Sequence, residues 1–210
     1  MEHLYTITSV VRVKKYIKPR LFMKKPFIIS ISSPSGGGKT TITTKLKERL
    51  INSVVIYWDD YGDAVDPNCD INDVTDYNEW HTEPLAVDIE RLLHEQHDYI
   101  ILDYPFGYLN NCVGRYIDLA AFVDTPLDVA LARRIIRDYT SRSKESDFGL
   151  AEVDNVSLKA IDDELRWYLT RSRPTYMRFS EAHKSKSDLV VDGTKSSEEI
   201  IEIIISALHK

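Results

Sequence analysis

Two hydrophobic rhythms take turns along the chain. Short β-branched runs alternate with longer stretches in which apolar side chains recur every three or four positions. Phe27-Ile28-Ile29-Ser30-Ile31-Ser32 lies between Pro26 and a glycine-rich segment, and it predicts a strand buried on both faces. From Lys39 to Leu50, the residues Ile42, Leu46 and Leu50 keep helical spacing with no Gly or Pro among them, which predicts a helix. Val54–Trp58 predicts a second strand. Pro84–Glu95 predicts a helix with its proline in the first turn, where a missing N–H does no harm. Tyr99–Asp103 and Leu119–Val123 read as the third and fourth strands, and Pro126–Arg142 as a long helix. Val156–Arg171 predicts a further helix disturbed near Pro174, Asp188–Val191 a fifth strand, and Ser196–Leu208 a closing helix.

Strands that alternate with helices predict an α/β fold: a three-layer, doubly wound parallel sheet with helices on both faces. Ligands of such sheets bind beyond the carboxyl ends of the strands. The longest loop, Gly62 to Asn78, follows a strand end, and long loops in compact domains tend to be functional. The chain shows no internal repeat and no low-complexity tract.

Candidate chemistry gathers at those strand ends. Ser33-Pro34-Ser35-Gly36-Gly37-Gly38-Lys39-Thr40 follows the first strand and opens the first helix. Consecutive glycines let the backbone curl so that several N–H groups converge on one anion, and the helix adds its positive N-terminus. Lys39 can then reach the β- and γ-phosphates and the Thr40 hydroxyl can ligate Mg²⁺. Ser33 stands where the phosphate-loop pattern has its first glycine; a serine serves there if its φ is negative. Asp59 and Asp60 follow the second strand and Asp103 ends the third. Phosphoryl transfer needs positioning, charge neutralisation and one acceptor for the substrate hydroxyl proton. Asp59 suits that base role, and Asp103 suits the metal, directly or through water.

Arg133 and Arg137 share a helical face by i, i+4 spacing, with Arg142 beyond, and such a row can clamp a transferring phosphoryl group as a lid. Aromatics cluster beside the second and third strand ends. Tyr61, Trp80, His81, Tyr104 and Phe106 are candidate substrate contacts, since rings beside a phosphate site can stack a planar ligand.

Composition narrows the partners. Of 210 residues, 43% are hydrophobic and 29% charged, which suits one α/β domain with a real core. No apolar stretch reaches the roughly 18 residues of a membrane span, so the expectation is a soluble, cytoplasmic protein. Cys69 and Cys112 lack metal-ligand spacing, and two thiols alone argue against a zinc site and against a disulfide-stapled secreted fold. The net charge of −6 hides an asymmetry: seven Lys or Arg and one acid lie in residues 1–25, leaving 20 basic and 32 acidic groups in the rest. A body that acidic is a poor nucleic-acid binder. Residues 1–25 read as a basic extension without the apolar core of a secretory signal, and Met23-Lys24-Lys25-Pro26 reads as a second natural start. Residues 26–210 read as one domain with a lid near 133–150. A homo-oligomer stays open.

With these residues in hand, the chain resembles the uridine kinase, nicotinamide riboside kinase and phosphoribulokinase group of P-loop kinases, from about Phe27 to the C-terminus. The likeness rests on the glycine loop with Lys39-Thr40-Thr41, on Trp58-Asp59-Asp60-Tyr61 and on Pro84-Leu85-Ala86-Val87-Asp88. It continues through Phe122-Val123-Asp124-Thr125-Pro126, Arg133-Arg134-Ile135-Ile136-Arg137-Asp138, Arg173-Pro174 to Phe179, Ala182-His183-Lys184 and Asp188 to Thr194. The resemblance implies a P-loop NTPase fold of the nucleoside and nucleotide kinase kind, and ATP-dependent phosphorylation of a small-molecule hydroxyl. It implies Asp59 as base and Lys39, Arg133 and Arg137 on phosphates. It implies Thr40 on Mg²⁺, with Ser35, Gly36, Gly37, Gly38 and Thr41 completing the nucleotide site and Asp192, Gly193 and Thr194 near adenine. Two departures bear on the acceptor. Asp103-Tyr104-Pro105-Phe106-Gly107 replaces the Glu-Gly usual after the third strand. Thr82 falls where nucleoside kinases carry an acid on ribose, leaving Asp76 or Glu79 as nearby substitutes. The residues therefore leave open a kinase of a pantothenate-like or sugar-phosphate alcohol, and a regulatory module that hydrolyses ATP slowly.

Overall fold

The structure is a computed structural model that describes residues 25–62, 74–139 and 155–208. Five strands form one all-parallel sheet: β1 (Phe27–Ser32), β2 (Ser53–Tyr57), β3 (Tyr99–Asp103), β4 (Leu119–Asp124) and β5 (Leu189–Asp192), in the order β2-β3-β1-β4-β5. Seven helices accompany them in the described residues: α1 (Lys39–Arg49), α2 (Glu83–Leu92), α3 (Asn111–Gly114), α4 (Leu127–Tyr139), α5 (Asn155–Trp167), α6 (Arg173–Lys186) and α7 (Ser197–Leu208).

The period-2 geometry of a strand splits each apolar run between two cores. Ile29, Ile31 and Ile101 face Ile42 and Leu46 of α1 and Ile200, Ile201 and Ile204 of α7. Ile28, Ile100 and Leu102 face the other way, onto Leu85 and Ile89 of α2, Val113 of α3 and Phe179 of α6. Burial on both faces explains why the strands read as continuous apolar runs rather than alternating ones. The register puts Ile31 and Tyr57 on either side of Asp103, and Asp124 beside Asp192. All five carboxyl ends therefore open onto the same edge.

The predicted bounds of β1 and β3 match the structure at both ends. β2 sits one residue earlier than predicted, because Trp58 leaves the ladder to start a 3₁₀ turn through Tyr61. α2 stops at Leu92, and β4 runs on to Asp124. α4 is described to Tyr139, so Arg142, Cys69 and residues 1–24 lie outside the described residues. The larger correction is α6. One helix disturbed near Pro174 was expected; instead α5 ends at Trp167, a π turn spans Tyr168–Ser172, and a separate helix begins at Arg173. Pro174 occupies the opening turn of α6, where its missing N–H is no loss. His183 of α6 is buried against the sheet, stacked on Phe122 at 5.0 Å with Nδ1 3.2 Å from Ser32 Oγ. Burial pulls its pKa down to about 3, so it stays neutral. No helix among the described residues is long and apolar enough to cross a membrane.

Candidate active site

The loop between β1 and α1 is shaped by contacts that require its composition. Gly36 and Gly38 have φ of 82° and 99°, the left-handed region where a side chain is strained. A Cβ on Gly36 would stand 2.2 Å from the Ala130 carbonyl oxygen, so the loop sits directly on α4. Gly37 N–H donates to Pro34 O at 2.7 Å, and its own carbonyl accepts from Thr125 Oγ1 at 2.8 Å. Ser33 is buried and donates from Oγ to Pro34 O at 3.0 Å. Asn52 is the one non-glycine with positive φ among the described residues, so Ser33 satisfies the condition set for replacing glycine. Gly38 caps α1 without a side chain, which leaves the N–H groups of the first turn, with Lys39, Thr40 and Thr41, facing the loop's concavity.

Lys39 forms an ion pair with Asp103. The Asp103 side chain is 2% exposed, and apart from Lys39 neither carboxylate oxygen has a hydrogen-bond partner. Burial lowers the Lys39 pKa to about 8, against the opposing pull of the Asp59 carboxylate. Asp59 stands exposed on the 3₁₀ turn after β2, and its charge also reaches Arg137. Arg137 is held first by its neighbour Asp138, with Nε and Nη2 at 2.6 and 2.9 Å from the two carboxylate oxygens. Arg133, one turn earlier, is exposed, with Nη1 4.0 Å from where a Gly38 Cβ would stand. Lys39, Asp59, Asp103, Arg133 and Arg137 are thus brought to one rim.

On the opposite side of the loop, Gly193 N–H donates to Asp124 O at 3.0 Å. A Cβ on Gly193 would be 2.0 Å from Thr125 Oγ1, the same hydroxyl that holds Gly37. Asp192 Oδ1 accepts from Thr194 N and Oγ1 at 2.9 and 2.6 Å, which fixes the turn. Asp192, Gly193 and Thr194 therefore adjoin the phosphate loop through Thr125.

The aromatic candidates separate by depth. Tyr104 and Phe106 are 0% and 4% exposed and sit inside the core, edge-on to Trp58 at 5.7 and 5.5 Å. Trp58 and Trp80 are half-buried, 6.1 Å apart. Tyr61 donates to Asp88 at 2.6 Å, and burial with that bond raises its pKa. His81 is exposed, 4.0 Å from Glu83. Sequence reasoning missed Asn110, which is buried under this wall; an asparagine just before a short apolar turn is a helix-cap signal that could have found it. It also missed that Arg134 pairs with Glu164 across α4 and α5.

A parallel sheet ending in a glycine loop, an invading lysine and an arginine-bearing helix defines a P-loop kinase, an ATP-dependent small-molecule phosphotransferase. Residues 72–198 match the Phosphoribulokinase / Uridine kinase family, more than half of the chain, and the chain belongs to that family. A uridine kinase of Borrelia hermsii is 26% identical over 208 residues, spanning 87% of this chain and 94% of its own. A uridine kinase of Macrococcus caseolyticus is 25% identical over 218 residues, spanning 89% and 98%. The crystal structure of TT1252 from Thermus thermophilus shares the fold at a TM-score of 0.52 and 16% identity, covering 88% of this chain and 99% of that one.

Proposed function

We propose that this kinase transfers the γ-phosphoryl group of ATP to a hydroxyl of a nucleoside, with uridine, the acceptor named for the two relatives, as the first candidate. Asp59 takes the hydroxyl proton as the acceptor oxygen attacks phosphorus and the bond to ADP breaks. Lys39, Arg133 and Arg137 compensate charge on the transferring group. The observation that carries this reading is that one exposed carboxylate, Asp59, lies within electrostatic reach of both Lys39, at the start of α1, and Arg137 of α4. A base must sit where the phosphate-binding cations converge.

The donors fit Mg²⁺. Asp103 offers a buried carboxylate with no other hydrogen bond, and Thr40 an exposed hydroxyl on the first turn of α1. A hard cation that keeps waters and phosphate oxygens needs no more protein ligands than these, and it supplies charge neutralisation on the phosphates. Ser35 to Thr41 line the phosphates, and Asp192 to Thr194 flank the nucleotide on the far side. Trp58, Trp80 and Tyr61 front the acceptor, with Tyr104 and Phe106 behind them and His81 at the outer edge. The reading goes with a cytoplasmic setting, where ATP is supplied. An ADP-release screen of the protein against nucleosides, vitamins and sugar alcohols tests it. Turnover confined to nucleosides supports the reading, whereas turnover of a non-nucleoside alcohol alone, or none with ATP binding intact, overturns it.

A further inference from the structure

We infer that Asn110 is a positioning residue for the acceptor: it fixes, from behind, the backbone that carries Tyr77 and Trp80 beside Asp59. The inference rests on the acceptor reading above. Asn110 is 1% exposed and caps α3. Its Oδ1 accepts from Thr82 Oγ1 at 2.9 Å, Cys112 N at 3.0 Å and Val113 N at 3.4 Å. Three donors on one oxygen settle which end of the amide is which. The Nδ2 end then donates to the carbonyls of Tyr77 at 2.8 Å and Trp80 at 3.3 Å.

Those two carbonyls belong to the segment that returns to α2 after the long polar loop. Trp80 packs on Trp58 and, at 4.8 Å, on Phe106; Tyr77 packs on Phe106 at 5.8 Å and on Phe179 at 6.1 Å. Trp58 immediately precedes Asp59. The amide thus ties α3 to an aromatic wall that stands next to the proposed base. Asn78 Oδ1 adds a second clamp by accepting from Asn111 N at 2.8 Å, and Asp76 holds the same turn by accepting from Asn78 N at 2.9 Å. Every polar atom of the Asn110 side chain is spent on this junction, and none of its hydrogen bonds goes to the glycine loop or to the Asp192–Thr194 turn. Its effect therefore falls on the acceptor.

Asn110→Asp tests this. It keeps the oxygen that caps α3 and accepts from Thr82, but sets a second oxygen against the Tyr77 and Trp80 carbonyls. The expected result at pH 8 is an acceptor KM raised about tenfold or more, the scale of lost and repelled hydrogen bonds, with the ATP KM unchanged. Protonating the introduced carboxyl restores a donor, and burial and the facing carbonyls favour that form against the three donors on Oδ1. Relative to wild type, the KM defect should therefore shrink between pH 8 and pH 6. A merely structural role would lower the active fraction, reducing kcat while leaving both KM values and their pH profiles alone, and that outcome overturns the inference. If Asn110→Asp does not fold, the exposed Asn78→Ala removes the other clamp, and an acceptor KM within twofold of wild type overturns it. A wild type that phosphorylates no nucleoside defeats the acceptor reading instead. The wall is then read from tryptophan emission, where an Asn110→Asp spectrum identical to wild type overturns the inference.

Discussion

Lys39, the first residue of α1, pairs with Asp103, the last residue of β3, across the mouth of the glycine loop. The lysine side chain is 16% exposed and the aspartate 2%, so the pair is a buried cation held beside a buried anion. Such a pair is a poor source of stability but a good way to hold an ammonium ready for an incoming phosphate.

Its pH dependence follows from the burial. Unliganded Lys39 has its pKa lowered to about 8, and phosphates in the complex favour the charged form. Once the terminal phosphate of ATP, with a second pKa of about 6, is ionised, affinity is therefore flat up to about pH 8 and falls by up to about tenfold per pH unit above it, because a proton must be taken up on binding. Lys39→Arg stays charged throughout and should lack the inflection near pH 8, keeping its affinity level from there to about pH 9.5, whatever its absolute value. Titrations with a fluorescent nucleotide across that range check both; a flat wild-type profile to pH 9.5 would contradict the assignment.

Asp59→Asn should separate chemistry from binding. The amide keeps the shape of the turn but cannot take a proton, so kcat is expected to fall about 10²-fold or more with nucleotide binding retained. It also removes the negative charge felt by Lys39 and Arg137, so ATP affinity should hold or rise slightly. Unimpaired acceptor-dependent ADP release would remove Asp59 from the base role.

How much of this was visible in the sequence depends on where each residue's partners lie. β1 and β3 were legible to the residue because both are short apolar runs with polar or proline boundaries and both faces buried. The loop, Lys39, Asp59 and Asp103 were legible because strand ends of a parallel sheet must share one edge. α6 was not, since only Phe179 and His183 are buried among its fourteen residues and no apolar stripe marks it. The Asn110 junction was hidden for another reason. Its partners lie 28 to 33 positions away, and no local pattern predicts which loop an amide will hold.

Gly36 and Gly62 offer a comparison in which both backbones favour glycine but only one is in contact. Both have positive φ, 82° and 66°, and Gly62, with ψ of −152°, lies where essentially only glycine goes, so an alanine at either costs roughly 1–3 kcal/mol of backbone strain. A Cβ on Gly62 meets nothing within 4 Å, whereas one on Gly36 meets the Ala130 carbonyl at 2.2 Å, which is backbone and cannot step aside. Gly36→Ala should weaken ATP binding by tenfold or more, because the loop must lift from α4. Gly62→Ala should bind ATP as wild type does despite its own loss of stability. Calorimetric titration with ATP, beside thermal melts of both variants, gives the two readings.

The arginines of α4 should divide between stability and catalysis, although the sequence presents them as one basic row. Arg134 is 14% exposed, paired with Glu164 of α5 at 22% exposure, and its guanidinium lies 5.9 Å from the Tyr168 ring centre. Arg134→Ala leaves Glu164 half-buried without that partner. The expected loss is about 1–3 kcal/mol, less than for a fully buried pair because water screens this one. At about 2–4 °C per kcal/mol for a chain of this size, Tm should drop by roughly 2–12 °C. Arg133 is exposed at the loop mouth, and the Arg137 side chain is 63% exposed beside its neighbour Asp138. Arg133→Ala and Arg137→Ala should leave Tm within about 1–2 °C, as exposed substitutions usually do, and lower kcat about 10²-fold, the scale of a lost charge-stabilising donor. Melting curves and steady-state kinetics on the three variants test the division. Equal Tm losses across the row would return all three arginines to a purely structural role.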